Sequence, residues 1–219
     1  MPTHHLSEET LLAYASAALP ARAAVVVAAH LQMCLHCRHA LYFMDGLGGT
    51  LLARPSQASP DHAMTALPDG AMRAMRVRID SDTATLSDAP VVAAGEVNPD
   101  RAAALPDVDP DILPHALWPA FGRRYSELVW TQIEPGVEQI AAHGHAAEAF
   151  RLMRIRSEAD LPAHAHTGNE LTLVLKGSYR DDLGHFASGD LADLDESVTH
   201  APRADPGEAC IAVVTHFTV

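Results

Sequence analysis

The chain has 219 residues, 48% of them apolar, with a mean hydropathy near zero and a formal net charge of −13, which suits a soluble protein of one large or two small core-forming domains. Its one lysine, Lys176, and the large acidic excess argue against gripping a phosphate backbone and fit a basic protein partner instead. Three cysteines make no disulfide framework and fit a reducing cytoplasm, and neither a basic-then-apolar leader nor an apolar run of about 20 residues is present to direct or anchor the chain in a membrane.

Ser7 is a good N-cap, and Glu8 and Glu9 fall in the first turn, where the helix dipole favours acids. Leu11, Leu12, Tyr14, Ala15 and Ala18 give this first helix an apolar face, ended by Leu19-Pro20. Pro20 then suits the first turn of a second helix running through an alanine- and valine-rich stretch to His30. A third helix is expected to start at Cys34–Cys37 and to continue through Ala40, Leu41, Phe43 and Met44, with Leu47, Leu51 and Leu52 keeping the spacing.

Between the second and third helices stands His30-Leu-Gln-Met-Cys34-Leu-His-Cys37, an H-x-x-x-C-x-x-C motif. The four-residue step puts His30 and Cys34 on one helix face, and the C-x-x-C step lets a tight turn aim two thiolates at one point. A structural zinc ion takes four protein ligands, so a fourth is expected nearby, and either His4 or His5 could supply it. A redox C-x-x-C usually accompanies a βαβ pattern, and no strand precedes this motif. Three short helices bury too little surface to be secure alone, and a zinc site supplies the missing stability, about 10–16 kcal/mol of apparent binding energy.

After Arg54 the texture turns to Pro, Ser, Asp and Ala. Helical spacing returns over 69–79 through Met72, Met75 and Ile79, and 80–110 reads as a linker. From 111 onward, short apolar or alternating runs at 128–133, 137–141, 149–155, 170–175 and 210–217 are separated by turn signals, which suggests a small barrel or jelly roll. Cys210, on an apolar strand, reads as a buried inert thiol. His143, His145, His185 and His216 match no motif.

Within that region stands His164-Ala-His166-Thr-Gly-Asn-Glu170, with Gly177 beyond it, then Gly189-Asp190 and His200. Period-two spacing puts His164 and His166 on one strand face, and Glu170 can return to it. This layout resembles the cupin family, with H-x-H-x(3)-E-x(6)-G followed by G-D and a distant histidine. The P-x-G usual before that histidine is replaced here by Leu194-Asp-Glu-Ser-Val-Thr-His200. Three imidazoles and a carboxylate suit zinc, iron, manganese or nickel alike.

The whole chain resembles the ChrR group of anti-sigma factors, on the H-x-x-x-C-x-x-C head, the His-His pair, Ala13-Tyr14-Ala15, the helix at 69–79 and the run Glu170-Leu-Thr-Leu-Val-Leu-Lys-Gly177. The linker is longer than usual for that group. The resemblance implies an α+β multi-domain protein: a small zinc-stapled helical anti-sigma domain (1–82), a linker (83–110) and a C-terminal cupin β-barrel or jelly roll (111–219). It implies His5, His30, Cys34 and Cys37 as zinc ligands in the head, and His164, His166, Glu170 and His200 as ligands of zinc or another divalent transition metal in the barrel. The implied partner is an extracytoplasmic-function sigma factor, with no direct nucleic-acid or membrane contact. The implied role is inhibition of that factor in the cytoplasm, relieved through the barrel under singlet oxygen or organic hydroperoxide. A metal-dependent cupin dioxygenase or isomerase with an accessory zinc module is the competing class, but a stand-alone cupin enzyme has no need of the head motif. The charge of −13 disfavours a zinc-finger DNA binder.

Overall fold

The computed structural model describes residues 1–53, 109–144 and 149–218. The helix expected at 69–79, and the linker up to residue 108, lie outside the described residues. Met1–Gly49 and Ala103–Val219 form one compact unit, and Thr50–Ala102 is assigned to a second.

Helix α1 (Glu8–Ala15) starts where Ser7 caps it, the hydroxyl accepting from the Thr10 amide at 3.1 Å. It ends sooner than its apolar pattern, because Ala17 turns left-handed (φ 56°) and the Ala18 amide closes the end on the Ala13 carbonyl. Helix α2 (Ala21–Met33) follows Pro20 and buries Ala23, Val26, Val27 and His30. At Cys34 the backbone becomes extended, and α3 (Leu35–Ala53) begins at the next residue. That single extended residue forms the knuckle between the two helices.

The β-region holds a six-stranded antiparallel sheet in the order β1-β2-β3-β11-β5-β8. Its strands are β1 (Thr131–Glu134), β2 (Val137–Ala141), β3 (Phe150–Ile155), β5 (Asn169–Lys176), β8 (Leu191–Leu194) and β11 (Cys210–Phe217). Opposite it lie a three-stranded sheet of β10 (Arg203–Ala204), β6 (Ser178–Asp181) and β7 (Gly184–Ala187), and the pair β4 (His164–Ala165) and β9 (Thr199–His200). The result is a cupin-like β-sandwich behind N-terminal helices.

Strands β5 and β11 are neighbouring interior strands of the large sheet and are buried along nearly their whole length. On one face Leu171, Leu173, Val213 and Phe217 join the same core as Leu11, Val26 and Val27 of the helices. On the other, Glu170, Thr172, Cys210, Ala212 and Val214 line the interior of the sandwich. Both faces being covered explains why 210–214 of β11 reads as a continuous apolar run rather than an alternating one. Gly177, which closes β5, has φ +64°, and a Cβ there would meet the Ala209 carbonyl oxygen at 2.7 Å. Only glycine suits that turn.

Candidate metal centres

The knuckle brings His30, Cys34 and Cys37 together, and the segment before α1 delivers His5 to them; their ligand atoms all lie within 4.8 Å of one another. His30 Nε2 is 3.3 Å from Cys37 Sγ, and His5 Nδ1 is 3.3 Å from Cys34 Sγ. Bond lengths of about 2.0 Å to nitrogen and 2.3 Å to sulfur place such atoms about 3.5 Å apart around a tetrahedral ion, so the four fit one metal. His4 instead packs its ring, tilted by 31°, against Phe186, with centroids 4.2 Å apart, and stays outside the cluster.

The ring of His30 is wholly buried, and its Nδ1 lies 3.0 Å from the Gly189 carbonyl. A carbonyl only accepts, so Nδ1 carries the proton and Nε2 turns a free lone pair toward the thiols. Burial pushes His30 down to about 4 and Cys37 up to about 11. Burial, reinforced by the stacked ring of His36, also holds His5 below its ordinary value. All three are therefore held in their neutral forms near pH 7, and metal binding must displace the Cys37 proton.

The sandwich interior gathers a second set. His164, His166 and His200 have ligand nitrogens within 4.8 Å of one another, although His164 and His166 lie on β4 and the following loop and His200 on β9. Strand pairing sets His164 directly opposite His200. Each ring is held from behind: His164 Nδ1 on the Pro162 carbonyl (2.8 Å), His200 Nδ1 on the Asp181 carboxylate (2.9 Å) and His166 Nδ1 on Glu170 (3.2 Å). Their Nε2 atoms are thus left to face inward, and those of His166 and His200 are 3.1 Å apart. Two lone pairs so close repel unless a cation lies between them. The donor set fits a transition-metal ion with imidazole ligands.

Glu170 borders this set, one oxygen 3.8 Å from His200 Nε2 and the other accepting from His216 Nε2 at 2.5 Å. Burial would raise its carboxyl, but the His216 hydrogen bond and the His166 and His216 rings outweigh that and hold it below its ordinary value. His216 was not foreseen as part of the site. It shares strand parity with Ala212 and Val214 and faces Glu170 across the β11–β5 ladder. Asp181, behind His200, was also missed. A mainly apolar cavity of about 260 Å³ opens beside the cluster, with His164, Glu170 and His200 in its wall. Tyr179 also lines it, its buried hydroxyl lacking a hydrogen-bond partner among the described residues, and so does Cys210, whose thiol burial pushes up to about 12.

Over 210 residues, 96% of this chain and 87% of the other, the sequence is 31% identical to the anti-sigma-E factor ChrR of Cereibacter sphaeroides. The chain belongs to the ChrR family of anti-sigma factors. The family model for the ChrR cupin-like domain matches residues 121–219, which contain the whole second constellation. The crystal structure of Rhodobacter sphaeroides SigE in complex with the anti-sigma ChrR superposes with a TM-score of 0.71 at 28% identity, covering 99% of this chain and 100% of that one. No helix among the described residues of this ChrR-family chain is long and apolar enough to cross a membrane.

Proposed function

We propose that this chain binds an extracytoplasmic-function sigma factor and holds it inactive in the cytoplasm. The observation that carries this is the end-to-end likeness to a ChrR chain solved with SigE. Local support comes from α3, where Phe43 (75% exposed), Leu47 (63%) and Leu51 (58%) recur at four-residue spacing on one face. An exposed apolar stripe of this kind suits a helix laid against a partner, and the net charge of −13 suits a basic one.

In this reading the head, 1–82, makes the sigma contact, 83–110 connects, and 111–219 receives the signal. Zinc at His5, His30, Cys34 and Cys37 cross-links the head. His164, His166, Glu170 and His200 hold zinc or another divalent transition metal in the barrel. Singlet oxygen or an organic hydroperoxide relieves inhibition by altering the barrel site, and the neighbouring cavity has room for a small molecule. The test is co-expression with candidate sigma factors followed by co-purification. A metal-loaded chain that retains no sigma factor of its own genome sinks the proposal.

A further inference from the structure

We infer that the barrel turn Gly189-Asp190 is a clasp that positions the ligands of the head metal centre. The inference rests on reading His5, His30, Cys34 and Cys37 as ligands of one ion.

Two of those four residues are held by the barrel. The Gly189 carbonyl accepts from His30 Nδ1 at 3.0 Å and so fixes both the tautomer and the orientation of that ring. Asp190, only 3% exposed, holds the segment that carries His5. Its Oδ1 accepts from the amides of Thr3 and His4, and the Thr3 hydroxyl lies within reach of both its oxygens. Its Oδ2 accepts from the Ala187 amide at 2.8 Å and lies 3.7 Å from His4 Nδ1. The strap continues along β8, where the Leu191 amide donates to the His4 carbonyl and Asp193 accepts from the Ser7 amide at 3.0 Å.

Close packing leaves this strap little freedom. Gly189 has φ +94°, and a Cβ there would meet Pro2 Cγ at 2.8 Å. His5 is thus the next residue after an anchored pair, Thr3 and His4, whose anchor, Asp190, lies 187 and 186 positions further along the chain. Outer-shell partners that orient ligands commonly contribute 10–100-fold to metal affinity. Here those partners belong to the barrel while the ligands belong to the helices, so retention of the head metal depends on barrel geometry.

The test uses the full chain loaded with cobalt(II). Thiolate-to-cobalt charge-transfer absorption reports the head alone, since its cluster contains cysteines and the barrel clusters do not. D190A is expected to shift that absorption and to lose the ion to a chelator on the order of 10–100-fold faster than the parent. D190N, which keeps an acceptor oxygen for the Thr3 and His4 amides, should fall between. Deleting Pro2 and Thr3 loosens the strap without touching the barrel and should also speed release. D205N serves as the control, because Asp205 binds Ser178, Arg180 and His185 in the barrel and nothing in the strap. Release from D190A and the deletion at the parental rate, or equal acceleration by D205N, overturns the clasp. A parent chain without charge-transfer absorption overturns the metal centre itself, and the clasp with it.

Discussion

At pH 7 two buried head ligands wait uncharged: burial puts Cys37 up at about 11 and His30 down at about 4. Cys34→Ser or Cys37→Ser should therefore release the metal and with it the sigma factor, measured as metal content and co-purification. His5→Ala should weaken both less, and His4→Ala should leave metal content unchanged, since that ring packs on Phe186. The metal-free chain should also be acid-labile. His30 titrates at about 4 when folded and near 6.5 when unfolded, so the unfolded state binds more protons between those values. Its contribution to stability is complete above pH 6.5 and declines as pH falls toward 4, which denaturant midpoints across that window would show. Residues joined by local geometry were legible in the sequence: His30, Cys34 and Cys37 lie within two helical turns. His216 was not, because its partner Glu170 lies 46 positions earlier and only the β11–β5 register brings them together. The Gly189 carbonyl was beyond reading, since a backbone acceptor leaves no side-chain signature.

Among the elements, α3 carries the most direct test of partner binding. Phe43→Asp with Leu47→Asp should abolish sigma retention while metal content and helical signal stay unchanged, because both side chains face solvent. Loss of metal along with binding would instead assign these residues to the fold. Helices were legible because caps and prolines mark their ends, as Ser7 and Pro20 do. The five expected strands appear, the first shifted to Thr131–Glu134 beyond a 3-10 turn at Tyr125–Glu127. Strands β4 and β9 are two residues long, and β6 (Ser-Tyr-Arg-Asp) is mostly polar, so neither length nor hydropathy announced them. The pairing of β6 with β7 comes from the hairpin turn, where Asp181 accepts from the Leu183 and Gly184 amides, and from Tyr179 stacked on Phe186, while β4 pairs with β9.

For the molecule as a whole, the two metal centres should divide their labour. Glu170→Ala should leave target genes silent in unstressed cells and keep them silent under oxidant, while the parent responds. A normal response with a barrel shown to be metal-free would remove the metal from the signalling step. A fragment of residues 1–82 retains all four head ligands and should still bind the sigma factor. It lacks Gly189 and Asp190, however, and should surrender its metal sooner than the full chain. The remaining fragment has the opposite difficulty. Helix α2 packs on the outer face of β11 and β5, and without it part of the core that Leu171, Leu173, Val213 and Phe217 share would be uncovered. Such a greasy wall seeks another surface, so a fragment of residues 103–219 should self-associate in light scattering. If release of the partner opened the protein by lifting α2 away, it would leave this apolar wall sticky, and such an opening would be better suited to happening once than to being reset.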